Sequence, residues 1–347
     1  MKTSPRVGRS ARDGRAARDG RSAREQHPAY DRPEDDTVGR TANTPTHIPW
    51  AGWKQILVRT YKEVASDQVS LVAAGCAFWA TLALFPAISM LISLYGLVFD
   101  PRTVEPQLET IRDFLPPAAY TLIDTRVHGL VASGSGTLGV SLAISVLLAF
   151  WTSSTGTKSL LSALNMAYNE TEQRGFVRFQ LVGFAMTAAI VLGAILAIAI
   201  LVFIPVVIGF VGLSSHTKTL VNAASLVILV LFVLCSVSLL YRYGPSRHKA
   251  RLEWITPGSL VATALWLLVS VLFSFYVAHI ASYDATYGPL GAVAGVMMWF
   301  WVSAYSVLLG AELNAEMEMQ TARDSTEGSP KPIGRRGAYV ADHVAED

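Results

Sequence analysis

Apolar residues run along this chain in long blocks parted by short polar breaks, with no sustained strand-type alternation. The blocks extend from about Ser70 to Phe99, Leu138 to Trp151, Phe179 to Gly212, Leu220 to Leu240, Pro257 to Ile280 and Leu290 to Leu313. A helix that crosses a bilayer needs roughly 20 apolar residues. The pattern therefore predicts an all-α polytopic membrane bundle of about six transmembrane segments, the second of them short and broken.

That second block stops at Trp151, and Thr152, Ser153, Ser154, Thr155, Gly156 and Thr157 follow at once. Beyond them Leu160, Leu161, Leu164 and Ala167 resume helical spacing, while Asn165, Tyr168, Asn169 and Glu172 share a polar stripe. Backbone freed at membrane depth survives only where protein or water satisfies it, so a discontinuous segment would mark a cavity. The plainer reading is a short helix, a capped turn and an amphipathic helix on the membrane surface.

The flanks divide the rest. Residues 1–48 open with imperfect repeats of the type Arg-Ser-Ala-Arg-Asp-Gly and are too polar to build a core, which predicts a disordered basic tail. Such a tail sets topology and solubility; anionic lipid or nucleic acid is the alternative partner. Residues 49–69 mix Trp50, Trp53 and Tyr61 with Lys54, Arg59 and Lys62, as an interfacial helix does. Residues 70–316 form the membrane domain and 317–347 a polar C-terminal tail. Asp67 is placed to cap the first span, and Pro86 and Pro205 are candidate bends.

Composition agrees with the blocks: 52% of the 347 residues are hydrophobic and 16% charged, outside the range of an ordinary soluble domain. Six crossings put both termini on one side, and that side holds 24 Lys and Arg against four (Arg102, Arg112, Arg126, Lys218) on the other. The positive-inside rule then places both ends in the cytoplasm. Cys76 and Cys235 sit in apolar blocks, and seven scattered histidines lack ligand spacing, so neither a disulfide framework nor a metal site is expected. Gly291 and Gly295 form a GxxxG pair, read as a contact within the bundle, with homo-oligomer formation the alternative.

Four stretches carry a family resemblance: AAGCAFWATLALFPAISMLISLYG (73–96), FWTSSTGTKSLLSALNMAYNETEQRGFVRFQL (150–181), YRYGPSRHKARLEWITPGSLVATALWLLVSVLFSFYV (241–277) and YDATYGPLGAVAGVMMWFWVSAYSVLLGAELNAEME (283–318). The chain resembles the YihY/BrkB family of bacterial inner-membrane proteins, formerly labelled ribonuclease BN. The resemblance implies a six-helix integral membrane protein with cytoplasmic ends and an unsettled activity.

Ionisable residues near membrane depth are costly and tend to face a cavity. Glu312 and Glu316 stand one helical turn apart and repel unless a cation lies near. Asp67, Lys158, Asn165, Tyr168, Arg242, Glu312 and Glu316 are therefore expected to meet in a polar cavity at the cytoplasmic mouth. His279, Tyr283, Asp284 and Tyr287 are a candidate outer-face site, with an aromatic belt as the plainer reading. These residues suit a transporter or lipid translocator whose partners are membrane lipids and a small solute or lipid substrate, with no cofactor. A non-transporting envelope scaffold is the alternative. A metal-dependent nuclease finds no ligand cluster in the sequence, and neither an enzyme nor a nucleic-acid partner is expected.

Overall fold

A computed structural model describes residues 36–98, 135–198, 215–279 and 289–345. Its body is helical: α1 (Trp50–Ser66), α2 (Val69–Val98), α3 (Ser135–Ala167), α4 (Phe176–Ile198), α5 (Ser215–Tyr243), α6 (Leu252–His279), α7 (Pro289–Gln320) and a single turn, α8 (Tyr339–Asp342). Among the described residues four helices are long and apolar enough to cross a membrane, and the bent pair α1 and α2 makes a fifth if it is taken as one span, as a polytopic helical bundle requires. In those four only 11% to 22% of the apolar window is buried. Leu192, Val227, Val271 and Phe275 instead point outward from α4, α5 and α6. An apolar exterior is what lipid requires, because each helix satisfies its backbone internally and gains nothing by hiding its side chains.

The buried core lies toward one end. Ala73 and Cys76 of α2, Ala163 and Leu164 of α3, Tyr241 of α5, Ile255 and Ala262 of α6, and Leu308, Ala311 and Ala315 of α7 pack together there. Small residues let these helices approach closely. Closest is the crossing of α6 and α7, where a Cβ on Gly258 would strike the Gly310 carbonyl oxygen, and one on Gly310 would strike Gly258 in return. Gly295 has no such role: a Cβ there meets nothing within 4 Å. A tight glycine contact of α7 lies further along the helix, at Gly310.

Helix α3 corrects the expected break. It runs unbroken for 33 residues, about 50 Å at 1.5 Å per residue. The hydroxyls of Thr152, Thr155 and Thr157 donate to the carbonyls of Leu148, Trp151 and Ser153, one turn back, so the three threonines are satisfied inside the helix, while the buried Ser154 hydroxyl has no partner. The chain does break between α1 and α2, which meet at 59°. Gln68 takes a positive φ of 51° there, and Asp67 ends α1 instead of capping α2.

Residues 36–48 and 321–345, which the sequence pattern assigned to the polar tails, take part in the packing. Asp36 accepts hydrogen bonds from the backbone N–H groups of Gly39, Arg40 and Thr41, a 3-10 turn follows at Pro45–His47, and Ala42 and Ile48 are buried against Trp254, Leu313 and Met317. At the other end, residues after Gln320 fold back: Ala250 bridges to Thr326, Val340 joins the main core, and the Arg336 guanidinium donates to the carbonyls of Lys331, Arg323, Ala341 and Ala322. Polar composition suggested tails because their few apolar residues, Ile48 and Val340, are too sparse to show a pattern. The 100–134 loop and Pro205 lie outside the described residues.

Candidate functional site

The last turns of α7 organise the polar end. Residues four apart share a helix face, so Glu312 and Glu316 look one way and Asn314 and Glu318 another. The first face meets α1. Arg59 Nε donates to Glu316 Oε2 at 2.5 Å, and its second nitrogen to Gln320 Oε1 at 2.6 Å. The cation that pairs with Glu316 is thus Arg59, and Arg242 pairs with Glu327 instead. Glu312 itself is 2% exposed, its Oε1 has no hydrogen-bond partner, and Glu63 and Asp67 are the charges that act on it besides Glu316.

The second face meets α3, α6 and the 244–251 loop. Asn314 Oδ1 accepts the Gly258 N–H at 2.8 Å, and its amide donates to the Tyr168 hydroxyl at 3.4 Å. Arg247 grips Glu318 with two nitrogens, at 2.7 and 3.1 Å, and the Ser325 hydroxyl donates to the same carboxylate at 2.7 Å. The two charged side chains are 1% and 0% exposed. The Arg247 guanidinium also stacks 4.2 Å over the Tyr168 ring. Burial works against its charge, but Glu318 and the Tyr168 environment outweigh that and raise its pKa above the ordinary arginine value.

Asn165 closes the end of α3. Its Oδ1 accepts the Ser246 N–H at 2.7 Å and its amide donates to Glu172 at 2.9 Å. The chain leaves α3 through Asn169 at a φ of 54°, a left-handed position that asparagine tolerates better than most residues. Partial burial opposes ionisation of Glu172, yet hydrogen bonds from the Arg174 guanidinium and backbone and from Asn165 hold its carboxyl down at about 2.

Lys158 stands apart from all of this, donating to Gln180 of α4 at 2.7 Å, and Arg242 pairs with Glu327 at 2.9 Å. The single polar cavity expected from the sequence is therefore divided. Asp67, Glu312 and Glu316 belong to an acidic group where α1 meets α7. Asn165 and Tyr168 belong to the buried layer around Arg247, and Arg242 lies beyond it. His279 ends α6, while Tyr283, Asp284 and Tyr287 lie outside the described residues.

Past the buried layer opens a crevice of about 590 Å³, walled by the start of α4, the end of α5, the loop after it and residues 331–337. Eight Lys and Arg residues and His248 line it, with no Asp or Glu among the lining residues. Arg174, Arg242 and Arg247 already hold carboxylates, and Arg336 holds carbonyls. Arg178, Lys249, Lys331 and Arg335 have no ion pair among the described residues. Also among the described residues, no group of three or more His, Cys, Asp or Glu is placed to hold a metal ion.

Sequence reasoning missed Arg59, Arg247 and Glu318, and missed that the loop and C-terminal cations converge. The signal was present in Arg242, Arg247, Lys249 and Arg251, a dense basic run of which only Arg242 entered the expected cavity while the others served to orient the chain, and in Arg335-Arg336, which counted as tail.

Apolar helices with bare outer faces and a packed polar end define a polytopic helical membrane protein. The chain belongs to the BrkB family: residues 60–333 match the family described as Virulence factor BrkB. A Bacillus subtilis (strain 168) protein named as ribonuclease-like, YfkH, is 31% identical over 247 residues, covering 70% of this chain and 88% of that protein. A UPF0761 membrane protein of Aeromonas salmonicida is 26% identical over 72% of this chain and 84% of its own length. Another, from Alkalilimnicola ehrlichii, is 26% identical over 78% of this chain and 60% of its own. No solved structure matches the chain.

Proposed function

We propose that this protein is a transporter or lipid translocator of the bacterial inner membrane, with both termini in the cytoplasm and the basic crevice as its cytoplasmic mouth. The observation that carries this reading is the crevice itself, a polar cavity of about 590 Å³ wedged between the ends of two candidate spans, α4 and α5. Clefts of this size between helices are where small ligands bind. An excess of basic residues at this end supports its cytoplasmic placement. The chemistry offered is binding and charge neutralisation, which needs no catalytic group.

Purified protein in sealed vesicles tests it. Movement of a fluorescent anionic phospholipid, and separately of a small anionic solute, is followed with and without protein. Protein-dependent movement that falls in Arg178→Ala/Lys249→Ala supports the proposal; movement equal to that in empty vesicles refutes it.

One observation favours a second reading, the non-transporting scaffold. Unbroken α3 and the buried Arg247–Glu318 pair make the polar end a fixed cap, as a docking platform requires. The ribonuclease-like name of YfkH is tested by incubating the purified protein with RNA; cleavage lost in Glu312→Gln would favour an enzyme.

A further inference from the structure

The crevice holds more positive charge than its own chain neutralises. We infer that it is a binding site for a phosphate-bearing anion, with Arg178, Lys249, Lys331 and Arg335 as the recognising cations. The inference rests on the cavity of the proposed transport reading and adds the ligand that fills it.

Four features point to this ligand class. First, the four cations come from three separate segments, the start of α4, the loop after α5 and the C-terminal return, and all line one cavity. Like charges brought together by folding repel unless an anion lies among them, and no Asp or Glu lines the crevice to play that part. Second, the neighbouring cations are committed elsewhere. Arg174 holds Glu172 at 2.7 Å, Arg242 holds Glu327 at 2.9 Å and Arg247 holds Glu318 at 2.7 Å, whereas Arg178, Lys249, Lys331 and Arg335 have no carboxylate partner among the described residues and Lys249 rests 4.8 Å over the Tyr243 ring.

Third, arginine presents a planar fork that matches phosphate oxygens in pairs, and lysine supplies a movable point charge. Two of each around one cavity suit a group with several charged oxygens better than a lone carboxylate. Fourth, Val182 lines the same crevice one turn beyond Arg178 on α4. The wall thus passes from cationic to apolar within the first two turns of α4's candidate span, Phe176–Gly193, and Val177 and Leu181 are exposed on the same helix. A headgroup among the cations leaves an acyl chain free to lie along α4. A free phosphate compound shares the headgroup chemistry and lacks the chain.

The test is binding to the purified full-length protein in neutral detergent, read by native mass spectrometry. The probes are phosphatidylglycerol, phosphatidylcholine and inorganic pyrophosphate. The crevice variant is Arg178→Gln/Lys249→Gln/Lys331→Gln/Arg335→Gln, with Arg178→Gln/Lys249→Gln and Lys331→Gln/Arg335→Gln as milder forms should the quadruple change fail to fold. Lys54→Gln/Lys62→Gln, on exposed positions of α1, removes charge away from the crevice.

The inference expects phosphatidylglycerol to bind at least tenfold more tightly than phosphatidylcholine. That preference should be lost in the crevice variants and kept in the α1 variant. Pyrophosphate binding with the same pattern, without lipid preference, upholds the anion site and assigns it a soluble ligand. Equal binding by the crevice and α1 variants, or no binding of either anion to the unmodified chain, overturns it. So does retention of a short RNA where both anions fail. Binding with no movement in vesicles sinks only the transport reading, so the two failures are distinguishable.

Discussion

Replacing Arg247 with Met should unhinge the polar end. The substitution removes two charge-assisted hydrogen bonds, at 2.7 and 3.1 Å, and leaves Glu318 fully buried with only the Ser325 hydroxyl as donor. Stranding one charge of a buried pair costs about 3–5 kcal/mol. Losing the cation above the Tyr168 ring at 4.2 Å adds about 1 kcal/mol. Glu318→Leu should cost a similar amount, because it strands Arg247 in turn.

Arg247→Met/Glu318→Leu removes both charges and fills the space with apolar atoms, so its cost should fall short of the summed single costs by at least about 2 kcal/mol. Denaturant unfolding of the purified protein in mild detergent, followed by tryptophan fluorescence, measures all three. Single substitutions costing less than about 1 kcal/mol, or a double substitution equal to their sum, would show that the pair does not fasten the cap.

Gly310→Ala should destabilise by about 1–3 kcal/mol or more, since its new Cβ meets the Gly258 carbonyl and the Tyr241 hydroxyl, whereas Gly295→Ala should be nearly silent. The yield of monodisperse protein after extraction compares them. Glu312→Leu should stabilise by about 1–3 kcal/mol, because it deletes a buried carboxylate oxygen that has no partner; a lowered unfolding midpoint would show that this carboxylate finds one. Acid should loosen the junction between α3 and α4. The Glu172 carboxyl sits at about 2 when folded, below its ordinary 4.5, so its stabilising contribution is complete above pH 4.5 and fades as pH falls toward 2. Amide exchange across residues 165–175 should rise over that window, and Glu172→Gln should abolish the pH dependence.

Fold class was legible because long apolar blocks have few alternatives once water is excluded. The break in α3 was misread because hydroxyl side chains look polar in a sequence, whereas in a helix they return their hydrogen bonds to the carbonyl a turn earlier, as Thr155 and Thr157 do. Glu312, Glu316 and Asp67 drew attention in the sequence because carboxylates are rare near membrane depth. Their partners did not, because Arg59 stands 257 residues from Glu316 and nothing local ties the two. Convergence of Arg178, Lys249 and Arg335 was equally hidden, since it depends on a C-terminal segment whose return across the polar end is fixed by Val340 and by the carbonyls around Arg336.

Sided labelling of a cysteine at Lys331, on the crevice wall, tests the central claim most directly. Cys235 is exposed and Cys76 buried, so both are first replaced with Ala. A membrane-impermeant maleimide should then label Lys331→Cys in inverted inner-membrane vesicles and leave it untouched in intact cells, as the proposed cytoplasmic placement of the basic end requires. Labelling in intact cells, with inverted vesicles protected, would put that end on the opposite face and contradict the account.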